Sequence, residues 1–229
     1  MDSVIDRWLT IRRWLERDLV GGPRVPMAWI INVQKGGTMP FVLLLMVLSG
    51  NWSLSAWTYL ALHGTYGLCW LLKDRVFPDP NFDQPVTLPS AFVAWAAVLG
   101  PYWVIAALAV LRPLPDDVPL MAGATILHTL GVVIMMGADT QKFFVLRARK
   151  GLITDGWFAR IRHPNYLGEM MLYASFALLA RHPAAWVILL AVWSLVFAPN
   201  MWAKERSMAR YPEWAAYRAR TGLLLPKIL

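Results

Sequence analysis

The sequence predicts an all-α, polytopic integral membrane protein with about six transmembrane helices, an N-terminal interfacial helix and a C-terminal cytoplasmic helix. First, 58% of its 229 residues are hydrophobic and only 16% are charged, whereas soluble domains are closer to half apolar and a quarter charged. Second, several stretches reach the roughly 20 apolar residues that cross a bilayer about 30 Å thick. Third, nearly all Lys and Arg residues fall on one side of such a bundle.

Residues 1–26 are predicted to form a helix that lies in the membrane interface. The segment holds five arginines and no apolar core of the kind that a cleavable signal needs. Its apolar residues recur every three or four positions, and the arginines lie mostly on other faces. These apolar residues are Val4, Trp8, Ile11, Leu15 and Leu19.

Six further stretches are predicted to span the membrane. Four reach or approach the apolar length of a span, namely residues 54–72, 91–111, 118–137 and 183–201. Two carry polar residues: the stretch 27–48 contains Lys35, and the shorter stretch 166–180 contains Glu169. With six spans, 19 of the 22 Lys and Arg residues lie on one side of the membrane, which predicts that both termini are cytoplasmic.

The net charge of +8 is explained by membrane orientation and attraction to anionic lipid. No motif or soluble domain suits nucleic acid, so we predict no nucleic-acid partner. We also predict no metal site, because the four histidines lie in different segments without the paired spacing of zinc ligands. A glycine-rich dinucleotide fingerprint and a P-loop are both missing from the sequence.

The stretch 152–169 contains the strongest candidate for a binding site. Pro164 suits the first position of a helix, and the free amides of that helix start, with Arg160, Arg162 and His163 beside them, would suit a phosphate. Asn165 lies one turn before Glu169, a carboxylate that is costly within a membrane and so has a partner or a function. The alternative is a structural cap in which Glu169 pairs with a neighbouring arginine, and both interpretations stay open.

Two other segments offer polar groups at helix ends. Asp139 would accept a hydrogen bond from a ribose or amide group, and Lys142 would reach a phosphate, although a plain three-apart ion pair is the simpler interpretation. In the tail, Tyr211, Trp214 and Tyr217 recur with helical spacing and form an aromatic face that would pack beside a nucleotide. A simple interfacial anchor would show the same pattern.

Residues 156–169, with Arg-His-Pro-Asn-Tyr-Leu-Gly-Glu at 162–169, resemble the C-terminal signature of membrane sterol reductases and steroid 5-alpha-reductases. The Asp-Thr-Gln-Lys element at 139–142 and the ending from Tyr211 fit the same pattern, so the resemblance covers about residues 125–229. It implies an NADPH-dependent reduction of a carbon–carbon double bond in a lipophilic substrate that is sterol, isoprenoid or enone-like. The implied cofactor-binding residues are Asp139, Lys142, Arg147, Arg160, Arg162, His163, Asn165, Tyr166, Glu169, Tyr211 and Tyr217.

The catalytic candidates come from the first half of the chain, where the resemblance departs from the family pattern. Steroid 5-alpha-reductases use a Gln-Glu pair on an early span with a tyrosine on the next, and the nearest equivalent here is Gln34-Lys35. Tyr66 and His63 lie near the region expected for the tyrosine, so Tyr66, His63 and Lys35 are the catalytic candidates. Lys35 would lie about 12 Å into its helix. It either snorkels to the interface, which we favour, or faces the cavity as a charged donor.

The Arg-His-Pro-x-Tyr-x-Gly core is also similar to isoprenylcysteine carboxyl methyltransferases and phospholipid methyltransferases, which bind S-adenosylmethionine at the matching place. Those enzymes follow it with a Glu-Glu pair, where this sequence has Lys204-Glu205-Arg206. A lipid methyltransferase is therefore the alternative, and a lipid-binding scaffold is the non-enzymatic one.

The resemblance also predicts a division of labour along the chain. Residues 1–26 form the interfacial segment, 27–137 form the first four transmembrane helices on the substrate side, and 138–229 hold the cofactor loop, the last two spans and the tail. The compact loops and the lack of a targeting peptide favour a bacterial inner membrane over an endoplasmic reticulum.

Overall fold

The computed structural model describes residues 2–227, with the side chains of residues 4–227. The outer ends of the predicted segments 1–26 and 138–229 therefore lie outside the described residues. The helices are α1 (Asp2–Arg17), α2 (Met27–Ser49), α3 (Leu54–Val76), α4 (Leu88–Ala94), α5 (Gly100–Val110), α6 (Val118–Ala148), α7 (Pro164–Ala180), α8 (Pro183–Val192), α9 (Ala198–Met208) and α10 (Trp214–Arg220). Short π-helical turns at Trp95–Leu99 and Trp193–Phe197 join α4 to α5 and α8 to α9.

The all-α prediction is confirmed, with one small addition. Two three-residue strands, β1 (Arg24–Pro26) and β2 (Pro85–Thr87), pair antiparallel, with Val25 opposite Val86. The sequence pattern did not predict this ribbon, because strands this short carry no measurable periodicity. It fixes the chain just before α2 beside the chain just before α4.

Among the described residues, four helical segments are long and apolar enough to cross a membrane by length and composition, which indicates an integral membrane protein. They are Met27–Ser49, Leu88–Val110, Val118–Ala148 and Pro183–Met208. The other two predicted spans are present as helices, but α3 ends in a charged turn that holds Lys73 and Arg75, and α7 has only 17 residues. The count of about six spans stays a prediction.

The first compact unit comprises residues 1–121 and 176–188. In it α2 packs along α3, and Gly67 allows their close approach, because a Cβ atom there would overlap the carbonyl oxygen of Lys35. Helix α1 packs against α4. It is shorter than the predicted segment 1–26, because Val20 and the following glycines take positive φ angles that end the helix region.

The second compact unit comprises residues 122–175 and 189–229. Helices α6 and α7 cross where Gly131 meets Gly168, and a Cβ atom on either would lie within 2.6 Å of the other's carbonyl oxygen. Such small-residue crossings bring membrane helices into close contact. The tail then returns to the loop before α7, where Gly222 exchanges backbone hydrogen bonds with Arg160 and Arg162. This return places the segment after α10 beside the predicted binding site in the stretch 152–169.

Candidate functional site

The second unit contains a cavity of about 420 Å³, within the size range of small-molecule sites. It is formed by the end of α6, the loop at 150–153, the start of α7 and residues of α9 and the following turn. Its apolar lining residues are Leu146, Leu152, Ile153, Phe158 and Met208. Its other lining residues are Lys142, Lys150, Gly151, Arg162, His163, Asn165, Lys204, Ser207, Arg210 and Tyr211.

The charge of this lining has one sign. Five of its side chains are Lys or Arg, and none of its residues in the described part of the chain is Asp or Glu. Three of these cations lie near aromatic rings. Lys204 Nζ is 4.5 Å from the ring centre of Tyr166, and the guanidinium carbons of Arg210 and Arg162 are 5.0 and 5.9 Å from the ring centres of Tyr211 and Trp214. A concave surface with several cations and apolar walls suits a ligand that is both polyanionic and partly aromatic.

Glu205 organises one wall of the cavity. Both of its carboxylate oxygens accept hydrogen bonds from Arg162 Nε, each at 3.0 Å, and its Oε1 lies 2.9 Å from His163 Nε2. Arg162 also donates from Nη1 to the carbonyl oxygen of Thr221 at 2.6 Å. Arg162 therefore uses most of its donors to hold α9 and the tail against the loop, which identifies it as a buried organiser of the wall.

The protonation of His163 follows from this environment. Burial is the main cause that lowers the pKa of His163, and the hydrogen bond to Glu205 opposes that shift only in part. The ring is therefore neutral at pH 7. Its edge packs against Tyr166, with ring centres 5.9 Å apart.

Five of the eleven predicted cofactor residues line the cavity: Lys142, Arg162, His163, Asn165 and Tyr211. Tyr166 lies behind the wall and is buried against Phe197. Arg147 packs on the ring of Phe143, and Arg160 is exposed while its carbonyl accepts from Gly222. Asp139 and Glu169 are half-buried, and neither is among the residues that line the cavity in the described part of the chain.

Tyr217 supports the cavity floor from outside the described lining. Its hydroxyl donates to the carbonyl oxygen of Phe158 at 2.8 Å, and Phe158 itself lines the cavity. Burial raises the pKa of Tyr217 to about 12, so this phenol stays a hydrogen-bond donor throughout the physiological range.

Asp155 and Gly156 form a turn that is held by Gln141. Gly156 has a φ of 55°, and a Cβ atom there would overlap the side-chain amide of Gln141. The same amide donates to the carbonyl oxygen of Asp155 and accepts from the backbone N–H of Trp157 at 2.8 Å. Gln141 therefore fixes the loop that carries the cavity wall.

The predicted cofactor-binding residues do not include Glu205 or three of the lining cations, Lys150, Lys204 and Arg210. Glu205 had a recognisable signal, a lone carboxylate directly after a span in a chain with an Arg-His pair. Its pairing, however, joins positions 43 residues apart, and the local pattern gives no information about such a contact.

The catalytic candidates lie in the first unit, and the structure brings two of them together. Lys35 is only 3% exposed, and its Nζ lies 3.4 Å from the Tyr66 hydroxyl. The ring centres of Tyr66, Trp70 and Tyr102 lie 4.6, 5.3 and 5.5 Å from the same nitrogen. The favoured expectation that Lys35 snorkels to the interface is therefore wrong, because aromatic rings of α3 and α5 enclose its ammonium group.

His63 occupies a different position. Its Nδ1 lies 3.0 Å from the Tyr59 hydroxyl one turn earlier, and its ring stacks on Phe176 with centres 4.1 Å apart. Gln34 is fully buried, and neither polar atom of its amide has a hydrogen-bond partner within the described residues. Such a buried amide is uncommon and points to a site of function.

The family described as "Protein of unknown function (DUF1295)" matches residues 86–221. The chain belongs to this family. The family is related to steroid 5-alpha reductases. The chain is also 30% identical over 83 residues to Delta(14)-sterol reductase LBR of Gallus gallus, a match that covers 29% of the chain and 13% of that protein. The likeness to a sterol reductase thus extends over a small part of the relative, and the role of the 162–169 signature stays a prediction.

Proposed function

We propose that this protein is a membrane-embedded, NADPH-dependent reductase of a carbon–carbon double bond in a lipophilic substrate of the sterol, isoprenoid or enone type. The observation that carries the proposal is the cavity of the second unit, which five cations line. NADPH carries a diphosphate and a further phosphate on its ribose, so such a lining complements its charge. The name of the related sterol reductase supports the same class of reaction.

The lining residues fit this cofactor in their chemistry. Lys142, Lys150 and Arg210 would bind phosphate oxygens, and Tyr211 would pack beside an aromatic ring of the cofactor. Asn165 offers both an amide donor and an acceptor, which suits a carboxamide. When bound, NADPH supplies the hydride for the reduction.

The charge of the cavity argues against the alternative cofactor. S-adenosylmethionine has a positively charged sulfonium and no phosphate, so nearby carboxylates would stabilise it and nearby cations would oppose it. The five lining cations would oppose a sulfonium, and the carboxylate of Glu205 is engaged by Arg162 and His163. The titration below would identify a methyltransferase if the protein bound S-adenosylmethionine and did not bind NADPH.

In the first unit we assign the proton donor to Tyr66, with Lys35 as its partner and His63 as a further candidate. The Lys35 ammonium lies 3.4 Å from the Tyr66 hydroxyl oxygen, so Lys35 would hold that oxygen in place when the phenol donates its proton. Both residues are buried, so bulk water does not compete for that proton. We further propose that the lipophilic substrate enters from the lipid.

The proposal also covers topology. Six spans with both termini cytoplasmic in a bacterial inner membrane would place the basic segments on the side that holds the cofactor pool. Residues 27–137 would then form the substrate side, 138–229 the cofactor side, and α1 an interfacial anchor.

A binding titration tests the cofactor. Purified protein in nanodiscs is titrated with NADPH and its nucleotide fluorescence is recorded, for the wild type and for Lys150→Met. The loss of one phosphate contact predicts about tenfold weaker binding, with a shallower dependence on salt. Arg112→Met removes one charge from an exposed residue of the first unit and should bind like the wild type. Binding of S-adenosylmethionine without binding of NADPH would refute the reductase.

A further inference from the structure

His163 lies between a carboxylate and the cavity, and this fixes what its ring presents to a ligand. Glu205 is held by Arg162 Nε at 3.0 Å and by His163 Nε2 at 2.9 Å. An ionised carboxylate only accepts hydrogen bonds, so Nε2 of His163 carries the hydrogen in this pair. In the neutral ring, Nδ1 is then a lone-pair acceptor.

The second nitrogen is the one left for a ligand. In the part of the chain that the structure describes, Nδ1 of His163 has no hydrogen-bond partner, and His163 lines the cavity. A neutral Nδ1 presents its lone pair to a phosphate oxygen, which is repulsive. A protonated Nδ1 donates a charge-assisted hydrogen bond to the same oxygen.

Burial is the main reason that the ring stays neutral until an anion arrives, because it lowers the pKa of His163. Glu205 has the next largest influence and raises that pKa, while Lys204 and Arg162 lower it by smaller amounts. The groups that face the ring or share the cavity with it are Arg162, Glu205, Lys204, Tyr166, Lys142, Lys150, Arg210 and Tyr211. All the charged ones except Glu205 are cations, so phosphate groups that neutralise them also favour a charge on His163.

We propose that Glu205 is a positioning residue that holds His163 through Nε2, so that Nδ1 binds an anionic oxygen of the cofactor and takes up one proton from solvent as the cofactor binds. The inference rests on the proposed function in that its ligand carries phosphates. The reaction is a proton transfer from buffer to Nδ1, with no change of oxidation state. Affinity should therefore rise as pH falls, approaching tenfold per pH unit between the bound and free pKa values of the ring.

Calorimetry measures this proton directly. NADPH is titrated into the full chain in nanodiscs at pH 7.5, in two buffers that differ in ionisation enthalpy, and the protons taken up are compared between variants. The wild type should take up a larger fraction of a proton than His163→Gln, and the titration of the NADPH phosphate cancels in that difference. His182→Gln, which changes a histidine of the first unit, should match the wild type.

Glu205→Gln distinguishes positioning from a merely structural role. The amide keeps an acceptor for His163 Nε2 but removes the charge that stabilises the doubly protonated ring, so proton uptake should fall toward the value of His163→Gln. This variant also decides the question if His163→Gln does not fold. Uptake equal to that of the wild type in both variants would overturn the inference.

The outcomes separate the two proposals. If NADPH binds with the same proton uptake in the wild type and His163→Gln, the inference fails and the cofactor proposal stands. If NADPH does not bind, the cofactor proposal fails, and inorganic pyrophosphate becomes the probe. A histidine-dependent proton uptake with pyrophosphate then supports the inference, while no such uptake or no binding overturns it.

Discussion

Replacing Arg162 with methionine should release the tail from the cavity wall. Arg162 is 8% exposed and connects Glu205 of α9 to the carbonyl oxygen of Thr221. Removal of one partner of a buried ion pair costs about 3–5 kcal/mol. Because Glu205 keeps its bond to His163, we expect the lower end, about 3 kcal/mol, which is roughly a hundredfold change in the local opening equilibrium.

Hydrogen exchange resolves this opening by position. Three backbone amides bridge the loop and the tail, with N–H groups of Arg162, His163 and Gly222 bonded at 3.0, 3.1 and 3.0 Å. In Arg162→Met, peptides that contain these amides should exchange about a hundredfold faster. Arg160→Met changes an exposed side chain of the same loop and should alter protection by less than about 0.5 kcal/mol. Equal loss of protection in the two variants would refute the reasoning.

Two further predictions concern packing and pH. Gly131→Ala should destabilise the protein by about 1–3 kcal/mol, because the added Cβ atom meets the Gly168 carbonyl oxygen at 2.6 Å. Gly123→Ala, with no atom within 4 Å, should be neutral or stabilise the same helix by up to about 1 kcal/mol in denaturant unfolding. Tyr217→Phe should cost about 1 kcal/mol. The raised pKa of about 12 means that wild-type stability is full below the unfolded tyrosine pKa of about 10 and falls as pH rises toward 12. Tyr217→Phe should not lose stability over this pH range. Curves of stability against pH that run parallel for the wild type and the variant would contradict the prediction.

The helices were predictable because hydropathy and charge act locally. Their limits were less so. Helix α6 runs for 31 residues to Ala148, past the predicted end of its apolar stretch at 137, because hydrophobicity marks where a membrane ends and not where backbone hydrogen bonding ends. In the same way, the apolar spacing predicts a first helix that continues to Leu19. The structure has a bend there instead, because Val20 has a positive φ.

The site was most predictable where its residues are neighbours in sequence. His163 and Asn165 share one loop and helix start, and both line the cavity. The contacts of Glu205 and Lys35 depend on elements that are distant in sequence. Glu205 pairs with Arg162 only because α9 returns to the loop before α7. The direction of the Lys35 side chain is set by aromatic rings on α3 and α5. Long flexible side chains take the direction that tertiary packing leaves open to them.

Photo-crosslinking with an azido-adenine analogue of NADPH tests the central claim most directly, because it reports where the cofactor binds. Labelled peptides of the protein in nanodiscs are mapped by mass spectrometry, with unlabelled NADPH and S-adenosylmethionine as separate competitors. We expect labels within residues 142–165 and 204–211 that are removed by competition with NADPH and persist in the presence of S-adenosylmethionine. Labels elsewhere in the chain, or labels that only S-adenosylmethionine removes, would contradict it.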